Sequence, residues 1–210
     1  MQGRALDKRG RRGLADSARF LKTLVAAPRL TGAVAPSGRA LARAMAAAIG
    51  SPSPGLVVEL GPGTGPVTQS LIETGLPAER LVLVEYDPGF CRMLERRFGG
   101  VRVIQGDAYD LSRTLASFAG QPIAAVVSSL PLLNQPPPQR TKLIGDAFAL
   151  MGPSGVFVQF TYGLMSPIPR EASSNLYSAV RSRPILLNLP PAFVWTYRLD
   201  EKGADVSGGW

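Results

Sequence analysis

A glycine-rich segment follows the first strongly apolar run of the sequence. The run Leu56–Leu60 leads directly into Gly61–Gly65, which reads Gly-Pro-Gly-Thr-Gly, and a helical pattern comes next. Glycines let the backbone approach a ligand closely at the carboxyl end of a strand, where open α/β sheets bind ligands. A tight strand-to-helix turn or a dinucleotide site would also use glycines, but Pro66 takes the place of the third glycine of the dinucleotide pattern.

Acidic residues accompany this segment. Glu59 stands just before it, Glu85 ends the next apolar run about 20 residues on, where a carboxylate can accept both ribose hydroxyls, and Asp107 follows a third run. One such acid could simply be solvated, but two in register with a glycine loop favour a nucleoside site. Tyr86 would either lie against the adenine or pack on the protein. The residues predicted to bind the nucleoside are Glu59, Gly61, Gly63, Thr64, Gly65, Glu85, Tyr86, Asp107, Ala108 and Ser128.

Apolar runs alternate with helical patterns along most of the chain. Continuous apolar runs indicate strands that are buried on both faces, hence a parallel sheet with helices on each side. The runs are Leu56–Leu60, Leu81–Glu85, Val101–Gln105, Ile123–Ser128 and Val156–Thr161, with helices predicted near 39–49, 66–74, 88–98, 111–118 and 137–151. The last two runs, Ile185–Leu189 and Phe193–Asp200, are separated only by three residues, which predicts an antiparallel hairpin. The expected fold is α/β, with five parallel strands plus a C-terminal hairpin in one Rossmann-like sheet.

Composition excludes several kinds of chemistry. The 210 residues suffice for one domain, and the chain has no histidine and one cysteine, Cys91. These counts exclude an imidazole base, an internal disulfide and almost every zinc or copper site, so we expect no metal. No apolar run is long enough to span a bilayer, and the charged N-terminus does not resemble a signal peptide. We therefore expect a cytoplasmic protein.

The net charge of +8 is concentrated at the N-terminus. Residues 1–30 hold eight basic and two acidic side chains, and on a helical wheel the apolar residues share one arc. Such a helix lies in the headgroup plane of anionic membranes. Packing on the protein body or binding to nucleic acid would be alternatives, but the aromatic residues that stack bases are missing. We therefore predict a membrane-binding helix over 1–30, a catalytic domain over 31–210, and no nucleic-acid partner. The predicted membrane contacts are Arg4, Lys8, Arg12, Phe20, Leu21 and Leu24.

The fourth apolar run ends in the segment Ser128–Leu132, which reads Ser-Ser-Leu-Pro-Leu. Amino methyltransferases that act on nucleic-acid bases carry Asn-Leu-Pro-aromatic here, whereas this chain has Ser129 and Leu132 at the amide and aromatic positions. Leucine cannot stack a base, so an apolar acceptor such as a lipid is favoured. If Tyr177 begins a helix, Arg181 lies on the same face, and the pair would suit a phosphodiester. The predicted substrate contacts are Ser37, Ser129, Leu130, Tyr177 and Arg181.

With these motifs the chain resembles the bacterial phospholipid N-methyltransferases of the soluble, membrane-associated type. The similarity runs over about residues 20–165, in the run from Val57 through the glycine segment, Val84–Tyr86, Gly106–Ala108 and Ser128–Leu132. The resemblance implies the class I methyltransferase fold and S-adenosylmethionine as cofactor, with S-adenosylhomocysteine as product. It also implies stepwise methylation of phosphatidylethanolamine to phosphatidylcholine, on the inner face of the cell membrane.

The glycine loop is shared with the rRNA adenine dimethyltransferases, so an RNA methyltransferase remains an alternative, as does a non-catalytic membrane protein that binds the cofactor. An amine must lose a proton before it accepts a methyl group. Without histidine the proton acceptor would be a tyrosine (Tyr109, Tyr162 or Tyr177), a carboxylate or water.

Overall fold

The computed structural model describes residues 36–51, 53–169, 176–188 and 190–200. The predicted membrane helix over 1–30 lies outside the described residues, and with it Arg4, Lys8, Arg12, Phe20, Leu21 and Leu24. The prediction that this segment binds a membrane therefore stays a prediction.

Seven strands form one mixed sheet. They are β1 Leu56–Leu60, β2 Leu81–Glu85, β3 Arg102–Gln105, β4 Ile123–Ser128, β5 Val156–Thr161, β6 Tyr177–Arg181 and β7 Phe193–Leu199. Their order across the sheet is β3-β2-β1-β4-β5-β7-β6. The first five strands pair in parallel, while β7 is antiparallel to both β5 and β6. Strands β1, β2 and β4 are buried along their whole length, which is why they read as unbroken apolar runs.

In the part of the chain that the structure describes, five α-helices cover the two faces of the sheet. They are α1 Pro36–Ala48, α2 Pro66–Glu73, α3 Pro88–Arg97, α4 Leu111–Thr114 and α5 Pro137–Met151. Helices α1 and α2 share a core with Val57, Val127 and Val158, whereas α4 and α5 pack with Val58, Val126 and Phe157 on the opposite face. Among the described helices none is long and apolar enough to cross a membrane.

Proline and aspartate explain where several helices begin. Proline favours the first helical position because its missing N–H has no intrahelical partner there. Helix α1 accordingly begins at Pro36, three residues before the predicted start at 39. Asp87 caps α3, because its side chain accepts hydrogen bonds from the N–H groups of Gly89 at 2.8 Å and Phe90 at 3.1 Å.

The predicted hairpin is wrong in one of its two strands. The structure forms β6 from Tyr177–Arg181, not from Ile185–Leu189, and Ile185 makes only an isolated bridge to Ala192. Strand β6 is an edge strand whose side chains are mostly exposed, so it carries no apolar run that could identify it. The same segment is extended rather than helical, which corrects the helix predicted to begin at Tyr177.

Candidate active site

The glycine loop lies at the carboxyl end of β1. Gly61, Gly63 and Gly65 have φ values of +67°, +56° and +80°, a region that residues with side chains rarely adopt. A Cβ atom on Gly61 would lie 2.9 Å from Leu130 Cδ2, and one on Gly65 would lie 2.4 Å from Phe98 Cε2. The loop is therefore packed so closely that only its backbone can face a ligand.

Gly65 offers a direct test of this packing. We expect Gly65→Ala to lower the free energy of unfolding by more than Gly75→Ala, because Gly75 also has a positive φ, +90°, but has no atom within 4 Å of the added Cβ. Chemical denaturation should show a loss of about 1 kcal/mol for the control, from backbone strain alone, and a clearly larger loss for Gly65→Ala. Equal losses would contradict the tight packing against Phe98.

Glu85 holds the loop from the neighbouring strand. Its Oε2 accepts a hydrogen bond from the N–H of Gly63 at 3.1 Å, and its Oε1 accepts from the N–H groups of Tyr86 at 2.8 Å and Asp87 at 2.9 Å. The side chain of Tyr86 beside it is 55% exposed, so its ring is accessible to a ligand. The carboxylate is thus fixed between the glycine loop and the end of β2, and its predicted role as ribose acceptor stays a prediction.

Asp107 lies next to Glu85 at the carboxyl end of β3. The N–H of Gly106 donates to the Glu85 carbonyl at 3.0 Å, which joins the two strand ends. Asp107 Oδ1 accepts from the N–H of Tyr109 at 2.8 Å, and its backbone carbonyl accepts from the Thr114 hydroxyl at 2.8 Å. These bonds fix the carboxylate of Asp107 beside the end of β2.

Glu59 is fully buried behind the loop. Its Oε2 accepts a hydrogen bond of 2.6 Å from the Thr68 hydroxyl on α2, whereas no described residue is hydrogen-bonded to its Oε1. Burial raises the pKa of Glu59 to about 8, the nearby Glu85 charge adds to this, and the Thr68 hydrogen bond opposes it. The carboxyl group is therefore mostly protonated at neutral pH and acts as a neutral link between β1 and α2.

This raised pKa predicts how stability depends on pH. The folded chain keeps the Glu59 proton up to about pH 8, while an unfolded chain releases it near the ordinary pKa of 4.5. Its contribution to stability is thus complete below pH 4.5 and is lost as pH rises through 8, on the order of 5 kcal/mol in all. We expect Glu59→Gln, which stays neutral, to lose much less stability between pH 5 and 9 in denaturant titrations. Parallel curves for the two proteins would refute this assignment.

A small pocket opens on the other side of Leu130. It has a volume of about 140 Å³ and is lined by residues 130–134, 160–162 and Pro167. Leu130 itself is buried against Gly61, so it separates the pocket from the glycine loop. Ser129 anchors this wall, because its N–H donates to the Leu60 carbonyl at 2.9 Å. The predicted contacts Ser129 and Leu130 therefore lie where an acceptor could approach the cofactor loop.

Gln159 is a site residue that the sequence analysis missed. It is fully buried, and its Nε2 donates to the carbonyls of Leu130 at 2.9 Å and Phe160 at 2.8 Å. Leu130 lies in the loop after β4 and Phe160 lies in β5 itself, so Gln159 ties the two walls of the pocket together. A single amide within the apolar run of β5 was the available signal, because a buried amide needs hydrogen-bond partners. Thr68, the hydrogen-bond partner of Glu59, was also missed, because it is one of several hydroxyl residues on α2 and nothing in the sequence distinguishes it.

We expect Gln159→Leu to raise the KM for the acceptor more than the KM for the methyl donor, because the pocket walls lose their link. Two buried carbonyls also lose their donor, which should lower the free energy of unfolding by about 1–3 kcal/mol. Gln69→Leu is the matched control, since Gln69 is bonded only to the exposed Glu73 on the same helix. Initial-rate kinetics that change equally for both substrates would contradict a positioning role.

The three candidate proton acceptors occupy different places. Tyr162 lines the pocket and is 40% exposed. Tyr109 is largely buried, and desolvation raises its pKa to about 12, which works against its acting as a base. Tyr177 lies at the amino end of β6, at the opposite edge of the sheet, where its ring stacks on Phe148 with centroids 4.9 Å apart. The roles predicted for Tyr177 in catalysis and substrate binding do not agree with this position, because the glycine loop and the pocket beside Leu130 lie at the carboxyl edge.

Arg181 and Ser37 complete the predicted substrate contacts. Arg181 ends β6 at the carboxyl edge, where its Nη1 donates to the Leu164 carbonyl at 2.6 Å and its guanidinium lies 4.9 Å from the Phe193 ring. It therefore lies at the edge where the pocket opens. Ser37 lies in the first turn of α1, and its side chain is outside the described set.

Together, the glycine loop and the neighbouring acidic side chains fit a nucleoside cofactor. The glycine backbone leaves no room for side chains, Tyr86 offers a ring, and Glu85 and Asp107 lie on adjoining strand ends. Within the described ranges, no group of three or more histidine, cysteine or acidic side chains could hold a metal ion.

Comparisons with known proteins identify the class of this domain. A family model of the methyltransferase domain matches residues 57–155. The ornithine lipid N-methyltransferase of Singulisphaera acidiphila is 34% identical over 131 residues, which cover 61% of this chain and 68% of that protein. The ribosomal RNA small subunit methyltransferase A of Myxococcus xanthus is 42% identical over 76 residues, or 36% of this chain and 25% of that protein.

Two solved structures show the same fold at low identity. The TehB-like methyltransferase of Corynebacterium glutamicum has a TM-score of 0.58 at 14% identity, and the alignment covers 89% of this chain and 99% of that one. The glycopeptide N-methyltransferase MtfA, complexed with S-adenosylhomocysteine, has a TM-score of 0.59 at 14% identity, covering 78% of this chain and 90% of that one.

The strand order and the nucleoside site define a class I, S-adenosylmethionine-dependent methyltransferase, and S-adenosylmethionine is the cofactor that the site fits. Within this class, the chain belongs to the family of bacterial lipid N-methyltransferases that includes the Singulisphaera acidiphila protein.

Proposed function

We propose that this protein methylates the primary amine of a membrane-lipid headgroup at the membrane surface. The substrate that the sequence resemblance favours is phosphatidylethanolamine, converted stepwise through its mono- and dimethyl forms to phosphatidylcholine. The observation that carries the proposal is the apolar pocket beside the glycine loop, separated from it only by Leu130. S-adenosylmethionine supplies the methyl group from its sulfonium.

The pocket suits a lipid better than a nucleic-acid base. Leu132, at the position where base-methylating enzymes have an aromatic ring, is 2% exposed and provides no stacking face. At the mouth of the pocket, Leu133 is 53% exposed and Tyr162 is 40% exposed. Apolar walls favour a glycerol backbone or the start of an acyl chain, and the Tyr162 ring can hold a methylated ammonium by a cation–π contact.

Positioning is the main task of the protein in such a transfer. Methyl transfer to an amine is an in-line displacement that needs a straight approach and exclusion of water. Gln159 fixes the distance between the pocket walls, while Glu85 fixes the loop on the cofactor side. Tyr162 is the predicted proton acceptor that lines the pocket, and water can reach the same mouth.

Ornithine lipid is a second candidate substrate, because the relative from Singulisphaera acidiphila is named for it. Both lipids present a primary amine at the headgroup, so the same pocket chemistry applies to either. Methylation of RNA has weaker support, since this chain covers only between 19% and 34% of the length of the matched ribosomal RNA methyltransferases.

The place of action is part of the same proposal. The basic segment over 1–30 supports attachment to an anionic membrane surface, and the inner face of the cell membrane is where such lipids and S-adenosylmethionine meet. A vesicle-binding assay of the chain with and without residues 1–30 tests this attachment directly.

Acceptor identity can be settled with radiolabelled S-adenosylmethionine. The full chain is incubated in parallel with vesicles of phosphatidylethanolamine, vesicles of ornithine lipid, bulk RNA and bulk protein. We expect label in extracted lipid, and its loss with Glu85→Ala, because the glycine loop loses its support. The matched control is Glu95→Ala, which removes an exposed acid from α3 and should keep full activity. Label that appears only in RNA or protein would end the lipid proposal.

A further inference from the structure

Five large apolar side chains are exposed at the edge of the sheet that carries the pocket. They are Leu133, Leu164, Met165, Leu186 and Leu187, which are 53%, 71%, 68%, 73% and 77% exposed. We propose that this apolar rim inserts into the interface of a lipid bilayer and places the acceptor pocket against the headgroups. The inference rests on the proposed function and adds a second membrane contact to the predicted helix over 1–30.

The topology explains why these residues share one edge. Strands β5 and β6 are both antiparallel to β7, so β6 runs parallel to β5 and both end at the edge that holds the glycine loop. Leu133 follows β4, Leu164 and Met165 follow β5, and the remaining two leucines lie between β6 and β7. The rim therefore lies at the same edge of the sheet as the pocket, and Leu133 belongs to both.

Direct contacts join parts of the rim. A Cβ atom on Gly163 would lie 3.2 Å from Leu133 Cδ1, so the loops after β4 and β5 touch. Arg181 Nη1 donates to the Leu164 carbonyl at 2.6 Å, which connects the loop after β5 to the end of β6. The rim is thus one surface rather than several unrelated exposed residues.

The backbone beneath the rim is held firmly. The Ser166 hydroxyl is bonded to both the carbonyl and the N–H of Ile168, at 2.8 and 3.1 Å, and Arg140 donates to the Pro167 carbonyl at 2.7 Å. On the other loop, the N–H of Asn188 donates to the Ile185 carbonyl at 3.2 Å. Leu186 and Leu187 are therefore the two central residues of a turn, positions that normally favour polar residues or glycine. Apolar tips on fixed loops are typical of an interaction site.

The charge of these loops selects the partner. Segments 161–169 and 176–188 contain no acidic residue, and they contribute the exposed Arg181 and Arg183. Leucine tips beside arginines complement a bilayer interface, where acyl chains lie under a layer of phosphate groups. RNA would also attract the arginines, but it has no apolar layer in which the leucines could be buried.

Site-specific fluorescence tests the inserted residues. The chain's single cysteine, Cys91, is buried, so a cysteine introduced at the surface can be labelled selectively. Leu187→Cys carries an environment-sensitive dye, and Leu176→Cys is the matched control, because Leu176 is 43% exposed but precedes β6 at the opposite edge. With vesicles of phosphatidylethanolamine and an anionic phospholipid, we expect a blue shift and quenching by bilayer-embedded quenchers at position 187 only.

Other occupants of the rim would give different results. If part of this chain covers the rim, the dye at 187 is already blue-shifted without vesicles. If a second copy covers it, the shift grows with protein concentration without vesicles. Equal quenching at 187 and 176, or none at 187, would also overturn the inference.

A kinetic experiment separates the rim from the proposed function. We expect Leu186→Ser combined with Leu187→Ser to weaken vesicle binding about tenfold, with a matching rise in the vesicle concentration needed for half-maximal rate. The rate of this double variant on a water-soluble, short-chain phosphatidylethanolamine should equal that of the unaltered protein. Unchanged vesicle binding refutes the rim. Failure of the proposed function is a distinct result: no lipid is labelled by the unaltered protein, whatever the dye at 187 reports.

Discussion

The carboxylate of Glu85 is the interaction on which the site depends. Three backbone N–H groups converge on it, one from the glycine loop and two from the turn that begins α3. A loop whose glycines have positive φ gains little from its own side chains, so an external acceptor has to fix it. Because Glu85 ends the neighbouring strand, the position of the cofactor loop is set by the register between β1 and β2.

Two further buried polar side chains hold the elements around the glycine loop and the pocket in place. Glu59 joins β1 to α2 as a largely neutral acid, and Gln159 joins β5 to the loop after β4 through the Leu130 carbonyl. Each is fully buried, and a buried polar group stabilises a structure only when it is hydrogen-bonded. Cofactor side and acceptor side are therefore connected through backbone groups around Leu130, which is in contact with both.

The sequence could predict the features that are marked by buried apolar residues or by glycine. Five strands with continuous apolar runs, the loop Gly61–Gly65 and the adjacent acids were all predicted in their observed places. Strand β6 could not be predicted, because an exposed edge strand has no apolar pattern and its pairing with β7 is a long-range property. The same error placed Tyr177 near the substrate, whereas the register puts it at the far edge, opposite Leu199. Gln159 was missed because its long-range partner, the Leu130 carbonyl, lies 29 residues away along the chain, in the loop after β4.

The absence of histidine fits the chemistry of such a pocket. An ammonium group that leaves water for an apolar pocket has its pKa lowered, because desolvation disfavours its charged form. The walls formed by Leu130, Leu132 and Phe160 would thus promote loss of the proton before the amine reaches the methyl group. In the reaction proposed above, the proton would pass to water at the open mouth of the pocket, so no strong base would be needed inside. Binding and deprotonation of the amine then have one physical cause, and the same desolvation leaves its lone pair free for attack.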